Sequence, residues 1–182
     1  MAVVALSLFG WRHDPAAAQM TGALHLTAAL ACAALQRGDD TAAHLDEAQW
    51  LAELLPKDTP DFGLVYFTPD NVGIWRVALA VEAGEPGRAA EIAGTVNPDA
   101  VPSKARQAMF WADLGRGFAA QRTTRDQAVA ALRRAKDIAP YTTRNNMFVR
   151  ETVVDLLRQS RRDANSRELR GMAYRMGVDT SA

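Results

Sequence analysis

Inside the stretch FWADLGRGFAA (residues 110–120), Gly115-x-Gly117-x-x-Ala120 has the spacing of the GxGxxG/A loop. In that loop the glycines let a dinucleotide pyrophosphate approach the backbone at a helix N-terminus. Asp137 even lies at about the distance of a ribose-binding acid. The chemistry would be hydride transfer, but it requires a hydrophobic strand ahead of the first glycine and a second strand after it. The preceding SKARQAMFWADL contains no β-branched residue and reads as a helix former. Both glycines are therefore predicted in mid-helix, where they cannot cradle a phosphate.

Other reactive residue types form no constellation. His13, His25 and His44 lack HxxxH or HExxH spacing, and His25 falls on an apolar helix face, the pattern of a core or groove-lining residue. Cys32, the single cysteine, sits in ALACAAL and reads as a small buried hydrophobe. Asp39–Asp40 and Asp46–Glu47 fall in a turn and on a solvated helix face. No nucleophile elbow or Walker loop is present. The four tryptophans suit helix-packing anchors, and Arg158, Arg161, Arg162, Arg167 and Arg170 suit a solvated terminal surface. The expectation is no enzyme activity, no cofactor and no metal.

Bulk properties agree with a scaffold. The 182 residues are 48% hydrophobic and 23% charged, and 21 basic residues balance 21 acidic ones. The balance is uneven along the chain, −6 over residues 1–121 and +6 over 122–182, an asymmetry able to orient a partner or a head-to-tail dimer. The N-terminal AVVALSLFGW lacks a preceding Lys or Arg and is too short to span a membrane, so it reads as a leading helix. A reducing cytoplasmic setting without membrane association is expected.

Apolar residues recur at helical spacing throughout, and no segment alternates with a period of two. Breakers divide the chain into predicted helices at 2–11, 16–36, 39–55, 69–83, 86–96, 102–121, 125–139, 143–160 and 164–177. Asp70 and Ser103 are predicted N-caps, and Pro86 and Pro102 fall where a first helical turn tolerates proline. Pro56, Pro98 and Pro140 recur at intervals of 42, each closing a helix pair. In the third pair Trp111, Leu114, Gly115 and Phe118 share one helix face, and Ala128, Leu132 and Ala135 repeat on its partner before Pro140. This follows the W-x2-L-G-x2-Y…A-x3-F…P pattern of a tetratricopeptide (TPR) repeat, with Phe118 for Tyr, Leu132 for Phe and one extra turn residue. Gly115 and Ala128 are the small residues that let two helices approach closely. Gly84, Ala89 and Pro98 echo the pattern in the second pair, and Leu45, Ala48 and Pro56 in the first.

Longer stretches, among them FTPDNVGIWRVALAVEAGEPGRAAEIAGTVNP and ADLGRGFAAQRTTRDQAVAALRRAKDIAP, resemble the C-terminal TPR-like region of Xre/Cro-type helix-turn-helix transcriptional regulators over about residues 20–178. The resemblance implies repeats that sense a ligand or partner behind a DNA-binding domain. Fewer than 16 residues precede the repeats, so direct DNA contact by this chain is not expected. SRELRGMAYRMGVDTSA is similar to the opening of a helix-turn-helix, yet it ends four residues after Val178 and reads as a capping helix.

The predicted fold is all-α: a single right-handed TPR-like solenoid over 1–182, built of antiparallel helix pairs at 16–56, 69–98 and 102–140 with a helix pair and cap at 143–178. Counting from Trp111 places Met109, Ala112, Arg116 and Ala119 along the concave groove, joined by Asn71 and Trp75 in the second unit and Arg144 and Met147 in the last. A peptide or protein is the expected partner, a small-molecule effector the alternative occupant, and a homodimer is compatible with the charge asymmetry. Arg116→Ala is expected to weaken capture at nearly constant melting temperature. Gly115→Val is expected to destabilise, and Gly117→Ala to be tolerated.

Overall fold

A computed structural model describes residues 14–159 and 164–178. The predicted helix at 2–11 lies outside the described residues, as do Arg161 and Arg162. Nine α-helices occur among them and no strand: α1 (Pro15–Ala34), α2 (Gly38–Leu54), α3 (Pro69–Glu82), α4 (Pro86–Ala93), α5 (Lys104–Ala119), α6 (Arg125–Ile138), α7 (Pro140–Asn145), α8 (Met147–Gln159) and α9 (Ala164–Arg175). The all-helical expectation holds.

Local chemistry sets the boundaries. Asp14 caps α1, its Oδ1 accepting from the Ala16 and Ala17 amides, with Pro15 pre-set for the first turn. Ser103 caps α5 as its position predicted. Asp70 does not cap α3. Thr68 takes that role by accepting from the Asn71 amide, while Asp70 accepts from the Asn97 amide and ties down the chain after α4. Pro102 lies just outside α5, and Pro140 opens α7 as well as closing α6. The predicted helix at 143–160 is interrupted at Asn146, whose backbone is extended and whose Oδ1 accepts from the Val149 amide to start α8.

Consecutive helices pack as pairs, α1 on α2, α3 on α4 and α5 on α6, and the short connections fold the chain back each time. Apolar side chains fill three cores. Leu26, Ala48, Leu51 and Phe67 centre the first, Ile74, Val77, Ala89 and Phe110 the second, and Ala128, Leu132, Val153, Leu169 and Met172 the third. Trp111 and Phe118 pack against both the second and third. Leu169, Met172 and Ala173, the apolar residues of the helix-turn-helix-like tail, are buried in the third core.

Glycines mark the closest helix approaches, partly where the repeat pattern put them. A Cβ on Gly115 would stand 2.9 Å from Leu132 Cγ and 3.3 Å from the Ala128 carbonyl oxygen, so the α5–α6 contact requires a residue without a side chain. In the second pair Gly73 on α3 packs against Val96, in the connection that follows α4. Gly84 instead has φ +73° in open space and makes the turn between α3 and α4.

The α2–α3 connection is long and ordered. Buried Gln19 on α1 donates to the Pro60 carbonyl and accepts from the Phe62 amide. The Tyr66 amide donates to Asp61 Oδ1 at 2.6 Å, and Asn71 Nδ2 donates to the Val65 carbonyl. Within this frame Leu64 and Tyr66 adopt left-handed φ of 59° and 50°, a conformation that penalises non-glycine residues by roughly 1 kcal/mol or more each.

Candidate functional site

Two contacts fix how α3 and α5 lie beside each other. The Arg106 guanidinium sits 4.9 Å from the Trp75 ring, and Arg116 Nη2 donates to Glu82 Oε1 at 2.8 Å. Residues met in ascending order on both helices mean that α3 and α5 run in the same direction. Trp75 and Glu82 are two turns apart on α3, as are Met109 and Arg116 on α5, so each pair shares a helix face.

Arg116 is the polar centre of this surface. Nη1 donates to Asp113 Oδ1 at 3.0 Å, and the guanidinium lies 4.6 Å from the Phe148 ring on α8. One side chain thus joins α3, α5 and α8. Burial alone would lower the Arg116 pKa, but the hydrogen bond and charge of Glu82, with those of Asp113, outweigh it and hold it raised. Burial raises the Asp113 pKa, partly offset by the adjacent Arg116 charge. The cluster carries two carboxylates and one cation, and only two of the five guanidinium N–H groups are used by them.

The predicted groove residues separate in space. Trp75, Met109 and Arg116 belong to the α3–α5 surface. Met147, 60% exposed, adjoins Phe148, whose ring meets the Arg116 guanidinium. Ala112 is buried in the third core and Ala119 is half-buried against it. Asn71 is 1% exposed, holds the α2–α3 connection and is withdrawn from any open groove. Arg144 is exposed but faces a different hollow, beside Lys136 and Arg175.

A larger hollow of about 490 Å³ lies between the first two helix pairs. Ala33, Leu45, Leu79 and Ile92 supply apolar walls, and Arg76 and Arg88 are held by Asp46 at 2.7 Å and Glu85 at 3.1 Å. Glu82 both lines this hollow and accepts from Arg116, which joins the two features.

Sequence reasoning missed Glu82, Asp113 and Phe148. Asp113 was within reach, three residues before Arg116 on one helix. Glu82 was not, because 34 residues separate it from Arg116 and no local spacing reports a neighbour across helices. It also missed a histidine pair: His25 Nδ1 on α1 and His44 Nδ1 on α2 stand 2.9 Å apart, one ring donating and the other accepting. Burial, then the His44 charge, lowers the His25 pKa, with Glu47 opposing.

Gly115 and Gly117 both lie inside α5, preceded by helix rather than strand, so neither forms the strand-to-helix turn of a dinucleotide site. Among the described residues no three His, Cys, Asp or Glu side chains converge as a metal-binding group. One helix, Pro15–Ala34, is long and apolar enough to cross a membrane by length and composition. Within this chain its buried Gln19 and His25 hydrogen-bond to the α2–α3 connection and to α2. Protein-family models, curated proteins and solved structures were all compared with the chain, and none matches.

Proposed function

We propose that the chain is a non-enzymatic TPR-like scaffold, the sensor part of a helix-turn-helix regulator, which captures a peptide or protein partner on the α3–α5–α8 surface. The supporting observation is the parallel alignment of α3 and α5. Stacked helix pairs put the first helix of each pair side by side along one binding face. Here that face offers Met109, Met147 and Phe148 for apolar contact around a fixed Arg116 with unused donors. A small-molecule effector is the second reading, favoured by the 490 Å³ hollow, which falls within the ~300–1,000 Å³ of small-ligand sites.

Arg116→Ala is a poorer test than its surface position suggests. It would remove the cation beside buried Asp113 and lower stability together with any binding. Met109 and Met147 are exposed and make cleaner probes. A thermal-shift screen of peptides and metabolites should yield ligands that raise the melting temperature by mass action. Met109→Ala and Met147→Ala should reduce that shift for a groove ligand at unchanged unliganded stability. A ligand insensitive to both places binding elsewhere, and chemical turnover of any ligand overturns the scaffold reading.

A further inference from the structure

We propose that the chain self-associates head to tail, the exposed Phe62–Leu64 tip of one copy seating in the Met172/Met176 hollow of the next. This is independent of the groove and its partner.

The tip is built to protrude. Phe62 is 48% and Leu64 74% exposed, so neither side chain contributes much to the core. The surrounding backbone nevertheless holds left-handed conformations at Leu64 and Tyr66, flanked by a hydrogen bond from the Phe62 amide to Gln19 and one from Asn71 to the Val65 carbonyl, the two side chains being 3% and 1% exposed. Strain of this kind persists only where neighbours over-determine it. The result is an apolar tip already ordered before contact, which lowers the entropy lost on docking.

The hollow offers the complement. It measures about 270 Å³ between α6, α7 and α9, just below the ~300 Å³ where small-molecule pockets begin and suited to one or two inserted side chains. Its apolar lining is a floor formed by Met172 and Met176, 1% and 7% exposed, beside an exposed Pro140. Lys136 is shared with Glu168 and Asp137, whereas Arg144 and Arg175 make no ion pair among the described residues. Among the described residues, neither rim guanidinium is held by a carboxylate within 4 Å.

Charge selects the second copy as occupant. Asp58 and Asp61 flank the tip and outweigh Lys57, and all three are exposed. The tip lies in the part of the chain carrying −6 and the hollow in the part carrying +6. Two copies are thus steered end to end, and like ends repel. A contact between different patches on identical chains extends into open assemblies unless its rotation closes a ring.

Sedimentation equilibrium of the full chain across a concentration series tests this. The weight-average mass should climb from the 19.8 kDa monomer past the dimer at low salt and fall back as salt rises. Asp58→Arg and Arg144→Glu, both at exposed positions, should each weaken association by at least about tenfold while circular dichroism shows unchanged helix content. An equimolar mixture of the two should regain dimers, because each mixed pair contains one unaltered tip and one unaltered hollow. Phe62→Ser should also weaken association without touching any charge. A wild-type chain that stays monomeric at every concentration overturns the proposal, as does association that both charge reversals leave unchanged.

Discussion

The α1–α2 and α5–α6 pairs are both helix hairpins with extensive packing, yet they are joined by different chemistry. In α5–α6 the contact is apolar, with Gly115 against the Ala128 carbonyl and Leu132, and fully buried Ala128, Leu132 and Ala135 along the seam. In α1–α2 the seam includes a half-buried imidazole pair, and α1 also uses Gln19 to hold the connection to α3. One seam is specified by shape, and no titrating side chain stands in its Gly115 contact. The other is specified partly by protons, because burial and the neighbouring His44 disfavour a protonated His25.

The largest expected effect breaks the apolar seam. Gly115→Val should destabilise the chain by ~1–3 kcal/mol through overpacking, offset in part by the removal of a helical glycine. Chemical denaturation reads this, and the loss should be the same at pH 8 and pH 5.5 because no titrating group is involved. An unchanged midpoint would show that α6 can move away freely.

A smaller effect separates the hairpins by pH. With the folded pKa of His25 lowered from 6.5, the unfolded chain takes up the proton first. Stability should be full above about pH 6.5 and decline as pH falls through the lowered folded value. His25→Gln should flatten that decline between pH 7.5 and 5, as followed by urea denaturation at each pH. The same slope in wild type and variant would remove His25 as its source.

The smallest effect concerns Gly117, where the sequence pattern predicts that alanine is tolerated. A Cβ there would stand 3.1 Å from Val81 Cγ2 and 3.8 Å from Pro86 Cβ, on the side facing the α3–α4 pair. Val81 must shift by a few tenths of an ångström, while removing glycine gains up to ~1 kcal/mol of helix propensity. Gly117→Ala should therefore change stability by less than ~1 kcal/mol, well under Gly115→Val in the same denaturation series.

The same contrast explains what could be read from the sequence. The α5–α6 seam was legible because its determinants, Trp111, Gly115, Ala128 and Leu132, follow a local period and lie on two consecutive helices. Asp70, Gly84 and Asn71 were misplaced because polar and small residues serve caps, turns and buried ties equally well. Only the three-dimensional neighbours decide between those uses. The Arg116 cluster was half legible: its cation came from repeat position, but Glu82 and Phe148 belong to other helix pairs. The histidine pair left no signal in spacing, since its members meet across the turn between α1 and α2.

Trp111 and Phe118 each touch two cores at once. A side chain shared between cores makes their opening a joint event, because loosening either one uncovers the same ring. The first core has no shared ring of this kind among its members and joins the second through opposite faces of α3. Amide hydrogen exchange under native conditions should accordingly resolve two cooperative units, an early-opening one at α1–α2 and a late-opening one spanning α3 to α9.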